Sequence, residues 1–120
     1  MNKMQTLNEF WNGFGLKAYD ENSVPDNAVM PYITYEAVSD HFGNSVAQTA
    51  SIWYRSSSWA EASEKEMQIS DFIGRGGRMI AYTGGAMWIK TASPWAQRMS
   101  DQSDDMVRRI VLNIEIEYID

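Results

Sequence analysis

The sequence predicts an α+β domain: a mixed, mainly antiparallel sheet of about five strands with two helices packed on one face, in the order α-β-β-α-β-β-β. Three observations carry this reading. First, the chain closes on "RRIVLNIEIEYID", where Ile110, Leu112, Ile114, Ile116 and Tyr118 alternate with Asn113, Glu115 and Glu117. That period of two marks a strand with one apolar and one polar face. Second, apolar residues recur at helical spacing in two stretches, one near the N-terminus and one in the middle of the chain. Third, Gly84-Gly85 separates two runs rich in β-formers, as a hairpin requires.

The elements follow in order. Met4, Leu7, Phe10, Trp11 and Phe14 predict a short amphipathic helix over 3–13, stopped near Gly13 and Gly15. The polar stretch "YDENSVPDNAVMP", broken by Pro25 and Pro31, reads as a loop. Residues 32–38, "YITYEAV", predict a strand, and His41-Phe42-Gly43-Asn44 a turn. Residues 46–55 follow as a second strand that pairs with the first, Val46, Ala50, Ile52 and Tyr54 sharing a face. Ser58 and Glu61 match the capping box S-x-x-E and Gly74 supplies a left-handed stop, so a helix is expected over 59–73. Its apolar stripe is Trp59, Ala62, Ile69, Phe72 and Ile73, interrupted by Glu66, which either snorkels outward or marks a helix face turned to a partner. Residues 77–82 and 86–91 form the hairpin around Gly84-Gly85. The polar stretch from Ser93 to Asp105 reads as a loop, long for so small a domain and therefore expected to be functional and mobile.

Composition bounds the function. A chain of 120 residues makes one domain, 1–120, with a real core and little room for a second. Without Cys, disulfides and thiolate metal sites are excluded. No apolar run approaches the roughly 18 residues of a membrane span, and the first residues lack the pattern of a signal peptide, so no membrane partner is expected and the protein is expected to be made and used in a cytoplasm. The net charge of −6 comes with scattered basic residues, Arg108-Arg109 being the only adjacent pair, which argues against tight nucleic-acid binding. Five Trp and six Tyr are many for this length; they serve either as core and rim or as interface anchors.

No catalytic constellation emerges. His41 is the only histidine and has no Cys partner; a histidine in a turn is ordinarily a surface residue. "GRGGR", Gly74 to Arg78, has the glycines of a phosphate loop but no Lys-Ser/Thr, and it precedes a strand rather than a helix. A helix cap running into a strand accounts for it better. Asp101, Asp104 and Asp105 lack the regular ligand alternation and turn glycine of a calcium loop. Glu61, Glu64 and Glu66, beside Lys65, read as a solvated helix face. The reading is therefore of a binding or structural protein, not an enzyme, with no catalytic, cofactor-binding or metal residues and no cofactor.

Four segments, "SVPDNAVMPYITYE", "TASIWYRSSSW", "IGRGGRMI" and "WIKTASPWAQRMSDQSDDMVRRIVLNIEIEYI", together resemble small tail-completion or neck proteins of long-tailed bacteriophages, specifically tail terminators. The likeness spans nearly the whole chain and rests on pattern rather than on a catalytic signature. It implies a tail-terminator-like fold and a homo-hexameric ring that caps the head-proximal end of the tail tube. Such a ring stops tube polymerisation and joins the tail to the head connector or stopper. DNA would pass through its channel without specific binding. The implied location is the virion neck, with the host cytoplasm during assembly. Two alternatives remain: another head–tail joining or minor tail-tube protein, or a small bacterial enzyme or ligand-binding domain on a similar scaffold. On the ring reading, Trp88, Trp95 and Arg98 are candidate subunit or partner contacts, and Asn113, Glu115 and Glu117 are candidate lumen-facing residues.

Overall fold

The N-terminal helix begins where its side chains can satisfy the free N–H groups of a first turn. In the computed structural model, which describes residues 1–40 and 43–120, α1 spans Lys3–Trp11. The Asn2 side chain accepts from the Gln5 N–H while Gln5 accepts from the Asn2 N–H, a reciprocal capping box that fixes the helix start. The expected helix over 3–13 tightens at its end into a 3₁₀ turn, Asn12–Phe14, and stops at Gly15, whose φ of 82° suits glycine. His41 and half of the turn read at 41–44 lie outside the described residues.

Six strands form one sheet: β1 (Lys17–Asp20), β2 (Tyr32–Tyr35), β3 (Ser45–Arg55), β4 (Arg78–Tyr82), β5 (Gly85–Met99) and β6 (Val107–Ile119). Their spatial order is β1-β2-β3-β6-β5-β4. Among the described residues only β1 and β2 run parallel; every other pair is antiparallel. The α+β class with a mainly antiparallel sheet is thus observed, with one strand more than expected: β1 replaces the start of the expected loop. The closing strand is central, flanked by β3 and β5, and Ile110, Leu112, Ile114, Ile116 and Tyr118 are all buried. They meet Leu7 and Trp11 of α1 and Ile69 and Ile73 of the second helix, α2 (Ala60–Ile73), in one core with Ile33, Ile52, Met87 and Ile89.

Four local expectations are corrected. The strand expected over 32–38 ends at Tyr35, because the Glu36 carboxylate accepts from both the N–H and the hydroxyl of Thr49. A side chain thereby occupies the N–H that a continuing ladder would use. The Ser58–Glu61 capping box does not form: the Ser58 hydroxyl accepts from Ala60 N, a short ST turn, and α2 starts one residue late. Gly74 stops that helix at φ 76°, ψ 169°, an extended glycine conformation and not the left-handed helical one. Phe72, expected in the buried stripe, is exposed, packing its ring edge-on against Phe14 beneath the Arg78 guanidinium.

The largest correction concerns Ser93 to Asp105. The hairpin turn is Thr83-Gly84, and the strand beginning at Gly85 continues through Met99, so the expected loop is strand for half its length. Continuity is hidden by a bulge. Thr91 pairs with Ile114 and Ala96 with Leu112, leaving residues 92–95 opposite Asn113 alone. Because β4 reaches only as far as Ile89 in register, this half of β5 is a sheet edge, where a proline such as Pro94 is tolerated.

Candidate functional site on the uncovered sheet face

Helices cover one face of the sheet. On the other, strand registers align side chains into ranks that cross the strands, and those ranks grade from aromatic and cationic at one end to acidic at the other. At the first end Lys17, Tyr32, Trp53, Arg109 and Met99 are successive Cα partners across β1, β2, β3, β6 and β5. The rings touch: Tyr19 meets Tyr32 edge-on at 5.8 Å between centroids, Tyr32 lies 6.3 Å from Trp53, and the Arg109 guanidinium sits 4.5 Å above Trp53. Such contacts are attractive through the ring quadrupoles. Beneath them Trp53 Nε1 donates to Thr34 Oγ1 at 2.9 Å, and Arg109 Nε to Ser51 Oγ at 3.1 Å.

At the other end stand the carboxylates. Glu115 is the partner of Ala47 on one side and Lys90 on the other; Glu117 is the partner of Ser45 and Trp88. The Ser45 hydroxyl donates to Glu115. Lys90 Nζ lies 3.9 Å from the Glu117 carboxylate and 4.3 Å from the centroid of Trp88, whose indole N–H donates to Gly76 O. Asn113 donates to Pro94 O and so pins the bulge. Asn113, Glu115 and Glu117 therefore share the uncovered face, half-buried along its middle.

The three expected contact residues do not form one patch. Trp88 stands on the uncovered face, in the rank of Glu117. Trp95 lies half-buried in the bulged segment, packed against the core, with its indole N–H buried and without an acceptor among the described residues. Arg98 is in register with the core residue Ile110, and its guanidinium lies 4.9 Å over Trp59, at the start of α2 and not beside Trp88. Trp59 is further stacked under Arg108. What sequence reasoning missed is the rank of Tyr32, Trp53 and Arg109: three distant segments whose alignment is set by strand register.

The residues weighed for chemistry are placed as follows. The Ser103 hydroxyl and N–H donate to Asp101 and hold its carboxyl below the ordinary carboxylate range. A hydrogen bond from Arg55, then one from the Met106 N–H, do the same for Asp104. These carboxylates are engaged separately, and no group of three His, Cys, Asp or Glu among the described residues is placed to hold a metal ion. In "GRGGR", the Arg78 guanidinium donates to Phe72 O at the end of α2, capping that helix's carbonyls. No helix among the described residues is long and apolar enough to cross a membrane. No family model, curated protein or solved structure matches the chain.

Proposed function

We propose that the chain is a structural protein of the neck of a long-tailed phage, a tail terminator without enzymatic activity. It forms a homo-hexameric ring on the head-proximal end of the tail tube, halts tube polymerisation and offers its other side to the head connector or stopper. The observation that carries the reading is the one-sided sheet: helices seal one face, and the other ends in a strip of carboxylates from Glu115 and Glu117 on the central strand. That end of the face gives a phosphate backbone little to hold, because phosphate binding depends on counterion release by clustered cations, and the cation standing there, Lys90, lies 3.9 Å from the Glu117 carboxylate.

Two measurements test it. Purified protein is imaged by negative stain, where sixfold rings are expected. Tube protein is then polymerised with and without it, and tubes should stop growing and carry a ring at one end. Rings that leave tube growth unchanged would assign the chain to another head–tail joining or tube component. A strict monomer at all concentrations would end the ring reading.

A further inference from the structure

Charge is divided along this chain in a way that the sheet turns into two opposed ends. Residues 18–54 hold five carboxylates, Asp20, Glu21, Asp26, Glu36 and Asp40, and no Lys or Arg. Residues 72–100 hold four cations, Arg75, Arg78, Lys90 and Arg98, and no Asp or Glu. The first segment supplies β1 except its first residue, Lys17, all of β2, and β3 except its last residue, Arg55; the second supplies β4 and β5. Since the order is β1-β2-β3-β6-β5-β4, the acidic and basic segments sit at opposite ends of one sheet.

Both ends of the sheet are edges, but at the acidic end the Asn12 side chain bonds the main chain of Ala18 in β1, whereas the basic end is open. β4 pairs only with β5, and its sequence, RMIAY, has no Pro, Lys or bulge to discourage another strand. The two-residue turn sets an alternation that directs the main-chain groups of Met79 and Ala81 away from β5, and neither has a backbone partner elsewhere among the described residues. Alongside lies an open groove of about 430 Å³ between α1 and this edge, floored by Phe10, Phe14, Phe72 and Ile80 and rimmed by Met79, with Glu9 and Arg78 as its charged lining. The Met79 side chain is 56% exposed. Arg75, at the approach to the strand, is exposed and has no ion-pair partner among the described residues. At the acidic end, the connection between β1 and β2 carries Val29, 81% exposed and the most exposed large apolar side chain of those described, on the same connection as Glu21 and Asp26.

We propose that these two ends meet between copies: the β1–β2 connection of one copy, with Val29 leading, seats in the groove beside β4 of the next. Opposite charge selects the pairing and orients it, an apolar side chain fills an apolar groove, and the open edge gains main-chain partners. Because the two patches differ and lie at opposite ends of the sheet, the contact is head-to-tail, the kind that closes into a ring when the rotation allows. The assignment rests on the ring reading above and adds to it which surfaces make the ring.

Complementation between two variants tests this. Met79→Asp places a carboxylate in the groove against the incoming acids; Val29→Lys places a cation at the tip that enters the basic end. Both positions are exposed, and thermal unfolding should show both variants folded. Arg75→Glu is a second groove variant for the case in which Met79→Asp unfolds. Sedimentation and native mass should show wild type assembling and each variant alone weakened by about thirtyfold or more, as for loss of an interface anchor. An equimolar mixture of the two should give one-to-one dimers that grow no further, since it contains one intact groove and one intact tip. Wild-type rings alongside unimpaired variants would overturn this assignment and leave the ring reading standing. Impaired variants whose mixture stays monomeric would also overturn it. A wild type that never assembles overturns both.

Discussion

Reversing the charge of the carboxylate strip tests what the uncovered face borders. In the double substitution Glu115→Lys, Glu117→Lys each change adds two charges, so the chain moves from −6 by +4 to −2. The local cost can be worked from the neighbours. Position 117 loses its ion pair with Lys90, 3.9 Å away and only partly shielded, and the lysine introduced at position 115 stands directly opposite Lys90 in register. A partly exposed pair is worth up to about 1 kcal/mol, and a like-charge cross-strand pair costs a similar amount, so the fold should lose about 1–2 kcal/mol and survive. In a ring of six, the proposed assembly, about twelve new cations would line the channel. If half of them reach phosphates, log K for DNA should fall against log salt with a slope of about −5, roughly a thousandfold between about 50 and 200 mM. Fluorescence anisotropy of labelled duplex with purified rings reads this directly, and particles carrying the change should assemble yet eject DNA poorly. Rings that form normally and bind no more DNA than wild type would show that the strip does not face the channel. Failure to form rings would make the face a subunit contact instead.

Three further outcomes concern the fold that presents this face. Ile114, 1% exposed on the central strand, should cost about 2–5 kcal/mol when truncated to Ala, seen as a lower urea midpoint at unchanged slope. Gly77→Ala should destabilise by about 1–3 kcal/mol and shift Trp88 fluorescence, because φ is +84° there and a Cβ would stand 2.5 Å from Trp88 Nε1 and 2.7 Å from Ile89 O. Stability should fall in alkali: burial, first of all, raises the Tyr118, Tyr82 and Tyr54 hydroxyls above their ordinary value near 10. The unfolded chain then ionises first, so the stabilisation is complete below about pH 10 and is lost as pH climbs through the raised native values. Denaturation midpoints flat from about pH 8 to pH 12 would refute this.

Legibility followed the range of the interactions involved. The closing strand could be read because its alternation is local and each apolar residue is needed by a core that covers one face only. Its acidic strip came with it. β1 could not: it is four residues long, buries Ala18 alone, and exists because β2 lies beside it. The second half of β5 was hidden by four residues facing one, which breaks the period by which strands are recognised. The start of α1 carried a signal that went unread, since Asn2 and Gln5 have the spacing of a capping box with Asn in place of Ser or Thr. Ser58 and Glu61 had the more familiar pattern and made no box, because the hydroxyl found a nearer N–H.

The tryptophans argue for where a partner should and should not be sought. Their number invited an interface reading, yet each has an intramolecular task. Trp11 is in the core, Trp59 lies under Arg98 and Arg108, and Trp88 is tied to Gly76 and Lys90; Trp95 closes the bulge against the core. Trp53 roofs the uncovered face: Ser51 and Thr34 are only 4% and 8% exposed there, although no helix among the described residues covers them, because Trp53, Tyr32 and Arg109 do. Aromatic area already committed to neighbours adds little on binding, since a contact gains only from surface still in water. Such surface remains on Val29 and Met79, at the two ends of the sheet, and on Met67 and Phe72 of α2, none of them a tryptophan. On the end-to-end contact proposed above, a ring built from this domain would keep its uncovered face free to border the channel.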